Sequence, residues 1–255
     1  MLLLVIDTAG PTGGVLLAQG NENNRCGDRS TDPEIEILDV IDLHPRQFSA
    51  ELIPAIAELL RASERRLADV DAFAVVSGPG SFTGLRVGLS AVKAMAEVAE
   101  KPILTLSHLA ILASMAVNVP SCEGPDAATH VVLDAGRGEF YHGVYRDAGT
   151  TRVSESFESL DALTEKIDQQ PGWVIASEAS VEAAFLTVAG SRLCVVPAPS
   201  VRDALPLAMA DWRARRFHDA ASVDANYLRR SDAVVVVRTK AEPISPVAQS
   251  QDLTS

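Results

Sequence analysis

A glycine-rich run, SGPGSFTGLRVG at residues 77–88, is the segment of this sequence best suited to chemistry. Its glycines let the backbone approach a ligand closely, and Ser81 or Thr83 can cap a helix that begins there. The exposed amides at a helix N-terminus attract phosphate, so one interpretation is an anion cradle. The other is a tight strand-to-helix connection. We favour the connection, because the run lacks both the Gly-Lys-Ser/Thr of a P-loop and the glycine spacing of a dinucleotide fingerprint. The candidate residues of this loop are Gly78, Gly80, Ser81, Thr83 and Arg86.

Two aspartates occupy matching places in the sequence. Asp7 ends the apolar run 2–6, and Asp134 ends the apolar run 131–133; a glycine-containing turn follows each of them. An aspartate before a turn accepts hydrogen bonds from nearby backbone amides and so caps that turn. Turn capping is therefore the first interpretation of both carboxylates.

The histidines and cysteines show no spacing that holds a metal ion. The residues concerned are His44, His108, His130, His142, His218, Cys26, Cys122 and Cys194. No C-x-x-C pair is present, so neither a zinc knuckle nor a disulfide framework is indicated, and a reducing cytoplasm fits. We predict no metal, no cofactor and no catalytic residue for this chain.

Charge and hydropathy exclude two further classes of protein. The 255 residues carry 22 basic and 34 acidic side chains, a formal charge of -12, which disfavours tight binding to nucleic acid by the chain alone. No apolar stretch approaches the roughly 20 residues that span a bilayer. The N-terminal residues MLLLVID lack a basic n-region, so they predict a strand and no membrane contact.

The two aspartates belong to a pattern that occurs twice. LLLVIDTAGPTGGVLLA and HVVLDAGRGEFYHGVYR each contain an apolar strand, a terminal aspartate, a glycine-containing turn and a return strand. This indicates a duplicated domain. Strands alternating with helices elsewhere predict mostly parallel α/β sheets. We place an N-terminal domain at 1–118, a C-terminal domain at 119–237 and a disordered, apolar-poor tail at 238–255.

Two helices lie between the first hairpin and the predicted boundary. Phe48, Leu52 and Ile56 recur at helical spacing in the first helix. Gly84, Gly88 and Ala91 form a small-residue face on the second, which lets another helix approach closely. We predict that these six residues form an interface with another subunit.

The run VVSGPGSFTGLRVGLSAVKAMA resembles the signature of the TsaB (YeaZ) family, formerly grouped with glycoprotease-like proteins. The resemblance extends to residues 4–8, 44–60, 101–103, 107–109, 132–141 and 226–229. It therefore covers nearly the whole chain to about residue 230. The family belongs to the actin, hexokinase and Hsp70-like superfamily, so the resemblance implies two duplicated actin/RNase H-like α/β domains, each a mixed sheet with flanking helices.

The same resemblance implies a role and partners. It implies a non-catalytic scaffold subunit in the synthesis of threonylcarbamoyladenosine beside the tRNA anticodon. It further implies that the chain forms a heterodimer with the catalytic homologue TsaD and acts together with the ATPase TsaE. We expect a homodimer when the chain is alone, and contact with tRNA only within the complex.

The resemblance also gives His44, Asp7 and Asp134 a second interpretation. The catalytic homologues carry two metal-binding histidines four residues apart on a helix, whereas the position four residues after His44 is Phe48. His44 is therefore interpreted as an interface or capping residue. Asp7 and Asp134 take the place from which superfamily members direct carboxylates at a nucleotide, so a vestigial ATP cleft is the alternative to turn capping. The competing functions are an ATP-using kinase or acyl-transferase and a metallopeptidase.

Overall fold

The computed structural model describes residues 1–20, 35–116, 128–146, 151–226 and 228. The strands are β1 Leu2–Asp7, β2 Gly13–Gly20, β3 Ile35–Leu43, β4 Ala72–Gly78, β5 Ile103–Ser107, β6 Ala128–Gly136, β7 Glu139–Arg146, β8 Thr151–Ser159, β9 Gly172–Ala176 and β10 Leu193–Val195. The helices are α1 Phe48–Ala62, α2 Phe82–Ala99, α3 His108–Ala116, α4 Leu160–Gln169, α5 Ala179–Ala189 and α6 Val201–Arg213. None of the helices described here is long and apolar enough to cross a bilayer.

The strands form two five-stranded mixed sheets of the same topology. The first sheet has the order β3-β2-β1-β4-β5, and the second, taken from β8, has the order β8-β7-β6-β9-β10. In each sheet the central strand pairs antiparallel with its hairpin partner and parallel with the strand on its other side. The duplication predicted from the repeated Asp-turn pattern is present, and the predicted fold class of two α/β units with mixed sheets is confirmed. The expectation of mostly parallel sheets was wrong, because each sheet, over the residues described, begins with two antiparallel hairpin pairs and has only two parallel pairs.

The helices and sheets are stacked in layers. The side-chain position of Gly13 on β2 faces Phe48 of α1, whereas that of the next residue, Gly14, faces Val201 of α6. Because successive strand residues point to opposite faces, α1 and α6 cover opposite faces of the first sheet. Alternation on β6 gives the same result for the second sheet, since Val131 packs in the cluster with α3 and Val132 in the cluster with α4 and α5.

The two halves of the chain exchange helices. Helix α6 contributes Val201, Ala204, Leu205, Ala208 and Met209 to the core of the first sheet. Helix α3, from the first half of the chain, contributes Leu109, Leu112, Ala113 and Ala116 to the core of the second sheet. We therefore define the first lobe as the first sheet with α1, α2 and α6, and the second lobe as the second sheet with α3, α4 and α5.

This exchange bears on the predicted division at residue 118. Each sheet is apolar on both faces, and the face turned toward the other lobe is covered by a helix from the other half of the chain. The predicted boundaries, near 118 and 237, and the predicted tail at 238–255 lie outside the described residues. They stay predictions, but the stretch 119–237 contains a helix that packs in the first lobe.

After α6 the chain returns along the first lobe as an extended strap, which we define as residues 214–226 with 228. His218 pairs with Ile103 at the edge strand β5 through two backbone hydrogen bonds of 2.8 and 2.9 Å. Lys93 of α2 donates to the carbonyl of Val223 at 2.9 Å. Leu228 then packs against the core cluster of the second lobe. The strap therefore contacts both lobes.

Two histidines are buried together in the second lobe. Their rings stack with centroids 5.2 Å apart, and Nε2 of His142 donates to Nδ1 of His130 over 2.9 Å. His130 Nε2 in turn donates to the carbonyl of Gln170 at 2.7 Å. Among the described residues, His142 Nδ1 has no hydrogen-bond partner. Burial, followed by the neighbouring His130, lowers the pKa of His142 to about 3, and burial also lowers the pKa of His130.

We predict that this pair makes the fold acid-sensitive. The folded state resists protonation below the ordinary histidine pKa, whereas the unfolded chain takes up the proton, so stability is lost as the pH falls from about 6.5 toward 3. The double variant His130→Leu/His142→Leu removes both groups. Between about pH 7 and pH 4 its free energy of unfolding should fall less than that of the native chain, by roughly 3 kcal/mol, measured by urea denaturation.

His44 supplies the control for this experiment. Its imidazole is 76% exposed and bonded to Glu51, so His44→Leu should keep the native dependence of unfolding on pH. Equal pH slopes for the native chain and the double variant would show that the buried pair is not the source of acid sensitivity.

Candidate functional site

The two aspartate turns meet at a cleft between the lobes. Its volume is about 940 Å³. It is lined by the turn after β1, the start of α1, the glycine-rich loop, the start of α3, the β6–β7 turn and the start of α5. The lining residues with polar side chains are Arg46, Ser49, Ser81, Thr83, His108, Asp134, Tyr141 and Glu178. The duplicated topology thus brings its two repeated turns to one cavity.

Each aspartate caps the turn that follows it. Asp7 is 1% exposed, and its Oδ1 accepts the amide of Ala9 at 2.8 Å. Asp134 Oδ1 accepts the amide of Gly136 at 2.6 Å, two residues on, as in the first turn. The capping interpretation of both carboxylates has direct support in this geometry.

Two acidic side chains near the cleft, Asp7 and Glu178, are largely withdrawn from solvent. Burial raises the pKa of Asp7, against a lowering effect of nearby His108. Burial also raises the pKa of Glu178, although this side chain accepts the amide of Asp134 at 2.6 Å. Within the part of the chain that the structure describes, no group of three or more histidine, cysteine or acidic side chains could hold a metal ion.

The glycine-rich loop joins β4 to α2. Gly78 ends the strand with φ of 116°, a conformation that favours glycine. Ser81 caps α2 by accepting the amide of Gly84 at 3.2 Å, and its own amide donates to the carbonyl of Ala9 at 2.8 Å. Thr83 is exposed at the cleft, and Arg86 is exposed on the helix surface.

Three glycines let this loop and helix lie against β1 and its turn. A side-chain carbon at Gly80 would come within 3.0 Å of the Ala9 carbonyl, and one at Gly84 or Gly88 would come equally close to Thr8. Thr8 Oγ1 fills the groove and donates to the carbonyl of Gly84 at 2.8 Å. The glycines therefore allow close packing within the chain, and the amides of Ser81 and Gly84 are already bonded. This supports the strand-to-helix connection over the phosphate cradle.

The six predicted interface residues do not form an exposed face. Phe48, Leu52, Ile56, Gly84 and Gly88 are buried in the core of the first lobe, and Ala91 is partly buried. The prediction assigned the wrong faces of α1 and α2 to a subunit interface. Periodicity shows that a helix has an apolar face, but it does not show whether the same chain or another subunit covers that face. Here the first sheet covers the stripe of α1, and Thr8 covers the glycine face of α2.

The outward faces of α1 and α2 carry other residues. Ile53 on α1 is 55% exposed, and Ala57, one turn later, is also exposed. Phe82 on α2 is 50% exposed, with the guanidinium of Arg86 3.8 Å from its ring centroid. Sequence reasoning missed Ile53 and Phe82, although an apolar residue opposite a buried stripe is the signal that identifies an exposed apolar position.

Two histidines occupy different environments at this end of the molecule. His108 is 3% exposed, lines the cleft and donates from Nδ1 to the carbonyl of Pro79 at 3.2 Å. Its position was not predicted, since histidine spacing reveals metal pairs but not single cleft residues. His44 is exposed, and its ring and amide both bond to Glu51 at 3.0 and 2.8 Å.

Fold and cleft define a two-lobed protein built from duplicated α/β units, each a five-stranded mixed sheet with flanking helices. A family model described as TsaD, tRNA N6-adenosine threonylcarbamoyltransferase, matches residues 42–195, which is more than half of the chain. Proteins named tRNA threonylcarbamoyladenosine biosynthesis protein TsaB are similar in sequence as well. The chain belongs to this family and, within it, to the TsaB (YeaZ) group.

The similarity to individual TsaB proteins is partial. The Escherichia coli protein is 32% identical over 140 residues, covering 52% of this chain and 58% of that protein. The Bacillus subtilis protein is 28% identical over 146 residues, covering 57% and 56%. The matches thus span little more than half of these relatives. The solved structure of YeaZ from Pseudomonas aeruginosa has a TM-score of 0.67 and 22% identity over 89% of this chain and 99% of that one, which shows the shared fold.

The contact between α2 and Thr8 gives a second prediction. Gly88→Ala should destabilise the monomer by about 1–3 kcal/mol through overpacking against Thr8 Oγ1, offset by up to about 1 kcal/mol of helix propensity. Thr8→Ala removes that oxygen and leaves the Thr8 Cβ, at 3.6 Å, as the nearest atom of this residue. The double variant should therefore be more stable than the sum of the single effects by roughly 1 kcal/mol, measured by chemical denaturation.

Ser90→Ala on the exposed face of α2 is the control, and it should change stability by less than about 0.5 kcal/mol. Strict additivity of the Thr8 and Gly88 variants would contradict the packing described here. A fully stable Gly88→Leu monomer that merely dissociates from a partner would contradict it too.

Proposed function

We propose that this chain is a non-catalytic subunit of the machinery that makes threonylcarbamoyladenosine in tRNA, and that it binds and supports a TsaD-type catalytic subunit. Its membership in the TsaB group supports the pathway, since the similar proteins are named for threonylcarbamoyladenosine biosynthesis. The match to the TsaD family model supports common ancestry with the catalytic subunit. We further propose that the chain works together with the ATPase TsaE and that it is located in the cytoplasm.

The observation that carries the non-catalytic assignment is the environment of Phe48. In the catalytic homologues the resemblance implies a second metal-binding histidine four residues after the first, and Phe48 takes this place after His44. The Phe48 ring lies against Gly13, within 3.0 Å of where a side-chain carbon on that glycine would be. The first histidine, His44, faces solvent and bonds to Glu51. Phe48 therefore belongs to the hydrophobic core of the first lobe.

The outward faces of α1 and α2 are the surface that we propose for the partner. The two helices lie side by side, and they present Ile53, Ala57, Phe82 and Arg86 to solvent. Exposed aliphatic, aromatic and arginine side chains beside small residues are typical of a helix-packing interface. The isolated chain would bury the same surface by pairing with a second copy across a twofold axis.

The charge of -12 supports a role in tRNA modification that depends on the assembled complex. Affinity for RNA comes largely from neutralising phosphates, and acidic side chains outnumber basic ones here by 34 to 22. In our proposal the partner supplies the contacts to tRNA.

An ATP-using enzyme of the same superfamily is the second candidate, and the cleft of about 940 Å³ is the observation in its favour. The local chemistry argues against it. Asp7 and Asp134 are engaged by their own turns, and Thr8 and Ala9 occupy the space in front of the glycine-rich loop. Calorimetric titration with ATP and Mg²⁺ separates the two candidates.

The proposal predicts the result of a subunit-omission assay. Threonylcarbamoyl transfer to tRNA, measured with radiolabelled threonine, should be lost when either this chain or its TsaD-type partner is left out. The chain alone should neither modify tRNA nor cleave protein. Robust turnover by this chain alone would disprove the scaffold role. Undiminished turnover when this chain is omitted would show that it is not a subunit of the machinery.

The partner surface gives a further prediction. Ile53→Glu places a charge at the centre of the outward face of α1, so the affinity for the TsaD-type partner should fall at least tenfold, equivalent to about 1.4 kcal/mol, in calorimetry. Stability should change little, because Ile53 is 55% exposed.

Leu186→Glu is the matched control. Leu186 is 60% exposed on α5 of the second lobe, so the same kind of charge is added away from the proposed surface, and partner affinity should stay native. If Leu186→Glu weakens pairing while Ile53→Glu does not, the partner surface lies on the second lobe.

A further inference from the structure

A buried carboxylate on β8 collects hydrogen bonds from three separate elements. Glu155 has a side chain only 4% exposed. It accepts from Ser107 Oγ at 2.5 Å, from the Tyr145 hydroxyl at 2.6 Å and from Asn226 Nδ2 at 2.8 Å. Arg152, on the same strand, lies at 3.6 Å. Charge-assisted bonds of this length are stronger than neutral ones, and a buried carboxylate that loses its donors is strongly destabilising.

The three donors come from different parts of the fold. Ser107 ends β5 in the first sheet, Tyr145 lies on β7 in the second sheet, and Asn226 lies in the C-terminal strap. Asn226 is itself fixed to the first lobe, because its amide donates to the carbonyl of Ser77 at 2.8 Å. Glu155 therefore joins the second lobe to the first lobe directly through Ser107 and indirectly through the strap.

Tyr145 stays protonated in this cluster and donates its hydroxyl hydrogen to Glu155. Burial, followed by the charge of Glu155, raises the pKa of the Tyr145 phenol well above its ordinary value, so the hydroxyl keeps its proton. The bond from Tyr145 lies within the second lobe. The two bonds from Ser107 and Asn226 are the ones that cross between the lobes.

The strap also contacts α2 and the glycine-rich loop of the first lobe. Lys93 of α2 holds the Val223 carbonyl, three residues before Asn226. Gly78, beside the cleft, leaves room for the carbonyl of Asn226, which would lie 3.3 Å from a side-chain carbon there. The strap thus runs from α2 past the glycine-rich loop to Glu155.

We propose that Glu155, Ser107, Tyr145 and Asn226 form a latch that fixes the angle between the two lobes, with Asn226 as its releasable part. When Asn226 leaves Glu155 and Leu228 leaves the second-lobe core, the strap detaches from the second lobe, the lobes rotate, and the width of the cleft changes. Cleft width is then set by the C-terminal segment of the chain.

The test exchanges the amide and the carboxylate. Asn226→Asp puts a second carboxylate against Glu155, so repulsion should open the latch. Adding Glu155→Gln restores one amide and one carboxylate with their places exchanged. The new amide at position 155 can donate to the new carboxylate at position 226, while its carbonyl accepts from Ser107 and Tyr145. Opening followed by closure in the double variant is not expected from a general loss of stability.

The lobe angle is read from a distance distribution between two nitroxide labels, measured by pulsed electron resonance. The labels are placed at Val98 of α2 and Leu186 of α5, which are 80% and 60% exposed. The native cysteines Cys26, Cys122 and Cys194 are first replaced by Ser, Ser and Ala. Ala221→Asp, which adds one charge at an exposed position of the strap, is the control.

We expect the native chain and Ala221→Asp to give one narrow distance, Asn226→Asp to lose it in favour of a broad distribution, and the double variant to regain it. A narrow native distance in a folded Asn226→Asp chain overturns the latch. If Asn226→Asp fails to fold, the double variant decides: a folded chain with the native distance supports the latch, and any other result overturns it.

Discussion

The approach of α2 to Thr8 constrains most of what surrounds it. Because Gly84 and Gly88 lack side chains, the first turns of the helix lie directly against the end of β1, and the Thr8 hydroxyl bonds to the helix backbone. This contact places Ser81 at the helix start, with the Ala9 carbonyl as a partner for its amide. It also turns the opposite side of α2, with Phe82 and Arg86, toward solvent. One close contact thus determines the loop, the edge of the cleft and the exposed face of the helix.

The same contact explains where sequence reasoning succeeded and where it failed. Local signals were sufficient for the strands that contain Asp7 and Asp134 and for the helices that begin at Phe48 and Phe82, because periodicity and turn residues act over a few positions. They also revealed the duplication. The environment of Gly88 could not be predicted, since a row of small residues suits close approach to a strand as well as to a helix. The exchange of α3 and α6 depends on contacts between distant parts of the chain, which local patterns do not encode.

The cleft combines the geometry of a ligand site with groups that already have partners. Asp7 ends β1 and Asp134 lies two residues before the end of the equivalent strand β6, yet each accepts the amide two residues later. Burial raises the pKa of Asp7 and of Glu178, because the ionised form of each carboxyl group loses hydration. Arg46 lines the same cavity, so its wall contains basic as well as acidic side chains. The fold therefore contains a cavity of about 940 Å³. The two aspartates beside it are already hydrogen-bonded to the amides of their own turns.

The exchange of helices also has a consequence for synthesis on the ribosome. The first sheet is complete once residue 107 has emerged, but one of its faces is covered by α6, which begins at Val201. At about 5–20 residues per second, the ninety or so residues between them take roughly 5 to 20 s to translate, apart from the stretch still inside the ribosome tunnel. During that time an apolar sheet face lacks its native cover in the nascent chain. Chaperones that bind apolar strands therefore have a defined substrate in the first half of this protein until its second half arrives.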